Sequence, residues 1–370
     1  AAADKDLKTF FILEFKWIGG EEAVAPLGTL LADDRFGEPA AQALQAIATP
    51  SAVEQFRQAL PAAKGGNLTA IVRALGVLRD RASAAAIRPH LSAADADLRR
   101  VAMFAASNIG DVAALDVLLK AADTKTPYER SLGTEALLLL ARRLAEDGKK
   151  DECAKICREL LKNKAGPEYG NVQCAAYHVL AQAQGEAALD DLLAAVEGPN
   201  MYVREAVLNI VQAMPGQAVT DKVVQKGKAA QPPAQAAIVA MRGRRGDKRA
   251  EPAVIEALKS GEEAVRAAAM AALAKLNPAQ AALELTALLA TEQPNEAPPI
   301  KNVLMTIRDE GFPAAVAAAL AKARGPGRVA LLELLGARAA TSQVNVIFEA
   351  ASDADDAVRV AAFRALTSTA

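Results

Sequence analysis

A spacing of 31 residues runs through this chain and narrows what it can fold into. From Leu273, steps of 31 reach Leu304, Leu335 and Leu366 in one direction and Arg242, Val211 and Leu180 in the other. One step of 43 then reaches Leu137, after which 31 resumes through Ala106, Leu75, Leu44 and Leu13. Every marker except Arg242 is apolar. Around Leu273 the residues Val265, Ala268, Ala269, Ala272 and Leu276 fall three and four apart, which sets them on one stripe of a helix. The period therefore predicts twelve equivalent helices covering the whole sequence.

Seven residues before most markers stands a polar residue: Arg99, Arg130, Gln173, Arg204, Gln235, Arg266, Arg328 and Arg359. Shortly after many markers comes a turn signal, at Gly110, Gly185, Gly216, Gly246, Asn277 and Gly311, where glycine or asparagine can take the left-handed conformation that ends a helix. A second, shorter apolar stretch follows, as in "VAALDVLLKA" after Gly110 and "EAALDDLLAA" after Gly185. Each repeat thus reads as a helical hairpin. A two-helix unit of this length cannot bury its apolar face alone and must stack on its neighbours.

Composition agrees with an architecture that grows along one axis. Apolar residues make up 52% of the 370, yet aromatics are only 4%, so the core must be built from small and aliphatic side chains packed closely. Alanine, the best helix former, serves that packing.

The motif carried by Val265, Arg266, Ala269, Ala272 and Leu273, with copies at Val203 and Arg204 and at Val358 and Arg359, resembles the HEAT-repeat (armadillo-like) family in its short bacterial form. More narrowly, "LLADDRFGEPAAQALQAIATPSAVEQFRQAL" and "RALGVLRDRASAAAIRPHL" resemble the arrays of exported bacterial HEAT-repeat proteins, which often precede a carbohydrate-acting β-sandwich domain; no such domain is expected within this sequence. The resemblance implies an all-α fold, a right-handed α-solenoid of about twelve hairpins, with second helices lining a concave surface. One solenoid is expected over residues 1–370. It comprises an aromatic cap repeat at about 4–33, a long repeat with a 12-residue insertion at about 125–164, and an incomplete terminal repeat at 353–370. That last repeat lacks a second helix, so its apolar stripe is expected to continue into further polypeptide or to meet a second molecule in a homo- or hetero-assembly.

Charge and hydropathy exclude several functions. The 43 basic and 44 acidic residues leave a formal charge of -1, which gives no general attraction to nucleic acid. No run of eighteen apolar residues exists, so no membrane insertion is expected. The opening "AAADKDLK" resembles the small residues beside a signal-peptidase cut, and suggests a periplasmic or secreted location over a cytoplasmic one.

Chemistry-bearing residues are few. Cys153 and Cys157 lie four apart, as do Cys174 and His178, and four such ligands could hold zinc. Their registers disagree, because the first pair falls on a buried stripe while the second aligns with Ala267 and Ala271, away from the stripe, so small buried cysteines are expected and no metal. With three thiols and the close pair on one helix, no disulfide is expected either. His90 closes a short helix beginning near Ala82, with Ser83 on the same face, and is read as a structural histidine. The basic segment "MRGRRGDKR" (241–249) holds Arg245, Gly246 and Asp247, an adhesion tripeptide, at a point where Gly246 ends one helix and Asp247 can cap the next; it is read as a turn. The aromatics Phe10, Phe11, Phe15 and Trp17 are expected to seal the open end of the first repeat, or failing that to form a docking surface.

No catalytic residue, cofactor or metal ligand is therefore assigned. The expected function is a scaffold or interaction module holding a protein or peptide along the concave face. Two alternatives remain: an accessory region of an exported carbohydrate-active protein, and a lyase-like enzyme of the same repeat type.

Overall fold

The structure, a computed structural model, describes residues 2–291 and 297–369, and among them it contains helices and turns but no strand. The protein is an all-α solenoid of hairpins. It divides into two compact units, residues 1–187 and 188–370.

In the first unit the six first helices are Ala2–Ile18, Gly37–Ile47, Gly65–Val77, Ala96–Ile109, Pro127–Glu146 and Gly170–Gln184, each packed on the next. In the second they are Met201–Ala213, Pro232–Arg245, Glu263–Leu276, Ala297–Thr306, Gly325–Ala337 and Asp356–Thr369, stacked in the same way. All twelve contain their marker. Leu44, Leu75, Ala106, Leu137, Leu180, Val211, Leu273, Leu304 and Leu335 are wholly buried. At the first repeat the register slips by one: Ile12 is buried and Leu13 only half-buried. Leu366 is also half-buried, having one neighbouring first helix where the inner markers have two.

The alanines and glycines explain how closely these helices approach. A Cβ added to Gly243 would lie 2.6 Å from the Ala272 Cα, and one on Gly336 would lie 2.8 Å from the Ala365 Cα. Gly76 meets Ala105 in the same way, 2.6 Å from its Cα. All three glycines directly follow a marker, and all three alanines directly precede the next one. Backbone contact at this range admits no larger side chain at either position.

The recurrent polar residue has a definite task. Arg99 Nη1 donates to the carbonyls of Ala93 (2.6 Å) and Ala94 (3.3 Å), and Arg359 Nη1 to those of Asp353 (2.7 Å) and Ala354 (3.0 Å). Arg130 reaches Thr124, Arg204 reaches Val196 and Gly198, Arg266 reaches Ser260, and Gln173 reaches Lys164 and Gly166. Each satisfies carbonyls left unpaired where the preceding second helix ends, and so locks one hairpin to the next.

A second repeated device ties a second helix to the following turn. Arg57 Nε donates to Asp80 Oδ2 (2.9 Å), and 31 residues on Arg88 Nε donates to Asp111 Oδ2 (2.7 Å). The Arg57 hydrogen bonds hold the Asp80 carboxyl below the usual carboxylate range, against the opposing effect of burial.

The turns differ in part from expectation. Gly110 (φ 82°), Gly185 (φ 56°), Gly216 (φ 105°) and Gly246 (φ 72°) have positive φ, whereas Gly311 is right-handed and Asn277 extended. Asn277 instead acts through its side chain, accepting from the Gln280 amide (3.2 Å) and donating to Glu251. Positive φ appears where no glycine signals it, at Ala48 (57°), Arg79 (55°) and Ala339 (46°), each four residues past a marker like Gly110 and Gly246. The twelve extra residues of the long repeat lengthen both of its helices, Pro127–Glu146 to 20 residues and Lys150–Asn163 to 14.

Candidate binding surfaces

Grooves open between second helices. Between Pro278–Thr291 and Phe312–Leu320 runs a groove enclosing about 280 Å³, floored by Ala287, Ala290, Ala315 and Ala318 and edged by Lys322. Leu283 stands in it 54% exposed. A comparable groove of about 340 Å³ lies between Leu189–Ala195 and Gln217–Ala229, lined by Leu193, Ala194 and Ala229. Across it Lys222 Nζ meets Asp190 Oδ1 at 2.8 Å. A third cavity, about 240 Å³, opens beside Gly227, Arg242 and Ala257. Among the first helices, a hollow of about 410 Å³ lies by Pro298, Val329 and Ala357, edged by the Lys301–Glu333 ion pair (2.5 Å).

The residues singled out from sequence are placed as follows. Cys153 and Cys157 are buried on Lys150–Asn163, where their shared hydrogen bond and burial raise the Cys157 thiol far above its usual range. Cys174 is half-buried and His178 exposed on Gly170–Gln184. Among the described residues no group of three His, Cys, Asp or Glu is arranged to hold a metal ion. Nor is any helix among them long and apolar enough to cross a membrane. Ser83 is buried and donates to Asp80 Oδ2 (2.5 Å), joining the Arg57 pair, while His90 is half-buried in the turn Arg88–Ser92.

The segment 241–249 ends one helix and turns into the next, and its Arg245, Asp247 and Arg249 are engaged in structure. Gly246 ends its helix left-handed, and Asp247 caps the next by accepting from the Arg249 amide (3.1 Å). Hydrogen bonds from Arg249 and then Thr220 hold the Asp247 carboxyl far below the usual range. Arg245 Nη1 spans the carbonyls of Val211 (2.9 Å) and Met214 (2.5 Å) in the preceding repeat.

Of the N-terminal aromatics Phe15 is half-buried, and the other three do not form a buried seal. Phe10 and Phe11 are each more than half exposed and meet edge to face at 5.7 Å between ring centres; Trp17 is 82% exposed. Helix Ala2–Ile18 turns Ile12 inward and leaves these rings outside.

Arg242, the marker that breaks the apolar rule, points inward all the same: it is 3% exposed. Its breach of the pattern was legible in sequence; its burial was not, because an arginine of ordinary chemistry would be placed outside.

Residues 220–297 match the family model described as HEAT repeats. No curated protein matches the sequence. Among solved structures, one of Kap95p binding to RanGDP is 14% identical over 93% of this protein and 50% of that one, with a TM-score of 0.44. The Kap95:Nup1 complex is 11% identical over 93% and 56%, with a TM-score of 0.39. An engineered protein is 16% identical over 99% and 95%, with a TM-score of 0.33. The present protein thus spans about half the length of the two Kap95 chains. Likeness at this level says nothing about partners.

Proposed function

We propose that the protein is a non-enzymatic scaffold that holds a protein or peptide partner along its layer of second helices. The reading rests on the grooves between second helices and on what lines them. First helices meet at Gly243–Ala272 and Gly336–Ala365 with backbone in contact, which closes those seams, and the hollow beside Pro298 and Val329 is edged by the Lys301–Glu333 ion pair. Second helices leave grooves floored by alanine and edged by lysine, with the large apolar side chain of Leu283 exposed in one. Apolar floors with charged rims suit a segment that buries a few anchors and is oriented by ion pairs at the edge. Variation in second-helix residues changes such a groove without disturbing the tight layer, so the frame and the binding surface are separable.

Site-specific photocrosslinking in the source cell tests this. A crosslinker at Leu283 or Ala318, both exposed on second helices, is expected to give a discrete protein adduct, and one at the exposed first-helix residue Val360 none. Adducts at Val360 alone, or at none of the three, would refute the assignment.

A further inference from the structure

At inner marker positions of both units the buried side chain is aliphatic; at 242 it is a guanidinium. Arg242 Nη2 donates to the carbonyls of Val223 (2.9 Å) and Val224 (3.0 Å), whose helix already uses them, and the buried Nε has no hydrogen-bond partner. Among the described residues no carboxylate pairs with it, and burial alone lowers its pKa to about 10, so it remains a cation at neutral pH. A buried charge without a counter-ion is costly, and a protein that follows its aliphatic register elsewhere bears that cost here.

The surroundings are shaped to the guanidinium. Gly227 lies inside the helix Gln217–Ala229, where glycine weakens a helix, and a Cβ there would lie 2.2 Å from Arg242 Nη2. Arg242 also forms part of the wall of the 240 Å³ cavity. The same wall has Lys228 and Lys259 at exposed positions, one carboxylate from Glu256, and an apolar side from Val239 and Ala257. Lys259 Nζ meets Glu256 at 3.5 Å, so Arg242 and Lys228 supply the cavity's excess positive charge, and its apolar side accommodates methylene groups.

We propose that this cavity binds a carboxylate on a short aliphatic stem, with Arg242 as the buried counter-charge and Lys228 and Lys259 at the mouth. An aspartate or glutamate side group, the terminal carboxylate of a peptide or a small organic acid all present that group. Glu256 on the wall disfavours a phosphate dianion, whereas a single carboxylate supplies the planar acceptor that guanidinium recognises best. The site is independent of the scaffold reading, since a free acid could occupy it with no protein along the second helices.

The test uses the full-length protein labelled with 15N-arginine. Glutarate, acetyl-glycyl-glycine, the amide of that dipeptide and inorganic phosphate are titrated at constant ionic strength, with chloride as reference. The Arg242 Nε–H resonance, identified by its disappearance in Arg242→Met, is expected to shift saturably with the two carboxylates and not with the amide. Shifts with glutarate alone would identify small acids as the source, and shifts with both would admit a peptide carboxylate. Lys228→Ala and Lys259→Ala should each weaken binding at least about threefold, in line with partly exposed charge pairs. Arg242→Met restores the aliphatic register; it should melt a few degrees higher without ligand and show no carboxylate heat in calorimetry. No saturable shift beyond chloride, tighter binding of phosphate than of carboxylates, or carboxylate binding retained in Arg242→Met would each overturn the proposal.

Discussion

Leu273→Asp is the sharpest test of the register. Leu273 is wholly buried, between the helices Pro232–Arg245 and Ala297–Thr306 that flank its own. Removing a leucine side chain from such a site costs roughly 3 kcal/mol in lost burial and residual cavity. The new carboxyl has no partner there, and keeping it protonated at pH 7, about three units above its ordinary pKa, costs about 4 kcal/mol more. A total near 7 kcal/mol rivals the whole stability of a typical domain. Because each repeat is supported by its neighbours, the loss should spread to the adjoining hairpins first. Urea denaturation followed by circular dichroism should show the transition early and broadened, and hydrogen exchange should show protection lost across 232–306. Leu283→Asp makes the same chemical change at a residue 54% exposed and should change the stability by less than about 0.5 kcal/mol. If the two variants melt alike, the assignment of Leu273 to the inter-repeat stripe is wrong.

Three further outcomes are expected. Ala48→Gly and Ala339→Gly each relieve a positive φ that alanine adopts with strain, and should stabilise the protein by about 1 kcal/mol in chemical denaturation. The Asp80 carboxyl is held below its ordinary pKa by Arg57, so the pair stabilises the fold above about pH 4 and that contribution is lost as the pH falls further. Asp80→Asn should therefore melt lower than wild type at pH 7, with the two melting points converging as the pH falls below the ordinary carboxylate range. Protein washed with chelator should carry no stoichiometric zinc in elemental analysis, since Cys153 and Cys157 are buried while His178 on the neighbouring helix is exposed.

The repeat was legible because its signal lies in side-chain size at fixed intervals, and size is what stacking constrains. Helix positions, the hairpins and the buried face of Glu263–Leu276 all followed from that. The task of the recurrent arginine was not legible, because its acceptors are backbone carbonyls about six residues back, as in Arg99 to Ala93, and carbonyls leave no trace in a sequence. Ala48, Arg79 and Ala339 escaped notice for a related reason: the left-handed turn is imposed by the hairpin, and the local residue tolerates it. The N-terminal aromatics were assigned to a seal on composition alone, whereas the helix turns Ile12 to the core and leaves Phe10, Phe11 and Trp17 outside.

Arg242 is not explained by decay of the repeat around it. It lies inside residues 220–297, the stretch that matches the HEAT-repeat family model, and the residues beside it keep the pattern. Val239 and Met241 are buried, and Gly243 meets Ala272 as Gly336 meets Ala365. One position therefore departs while its neighbours hold their register, and Gly227, on a different helix, departs with it to make room. Two departures that fit each other, in an otherwise regular array, are what a site at this position requires. The frame in this protein is built from small residues that bring helices together, and the Arg242 guanidinium lies where Gly227 carries no side chain. The clearing at Gly227 and the cavity beside it mark where this solenoid gives up packing for chemistry.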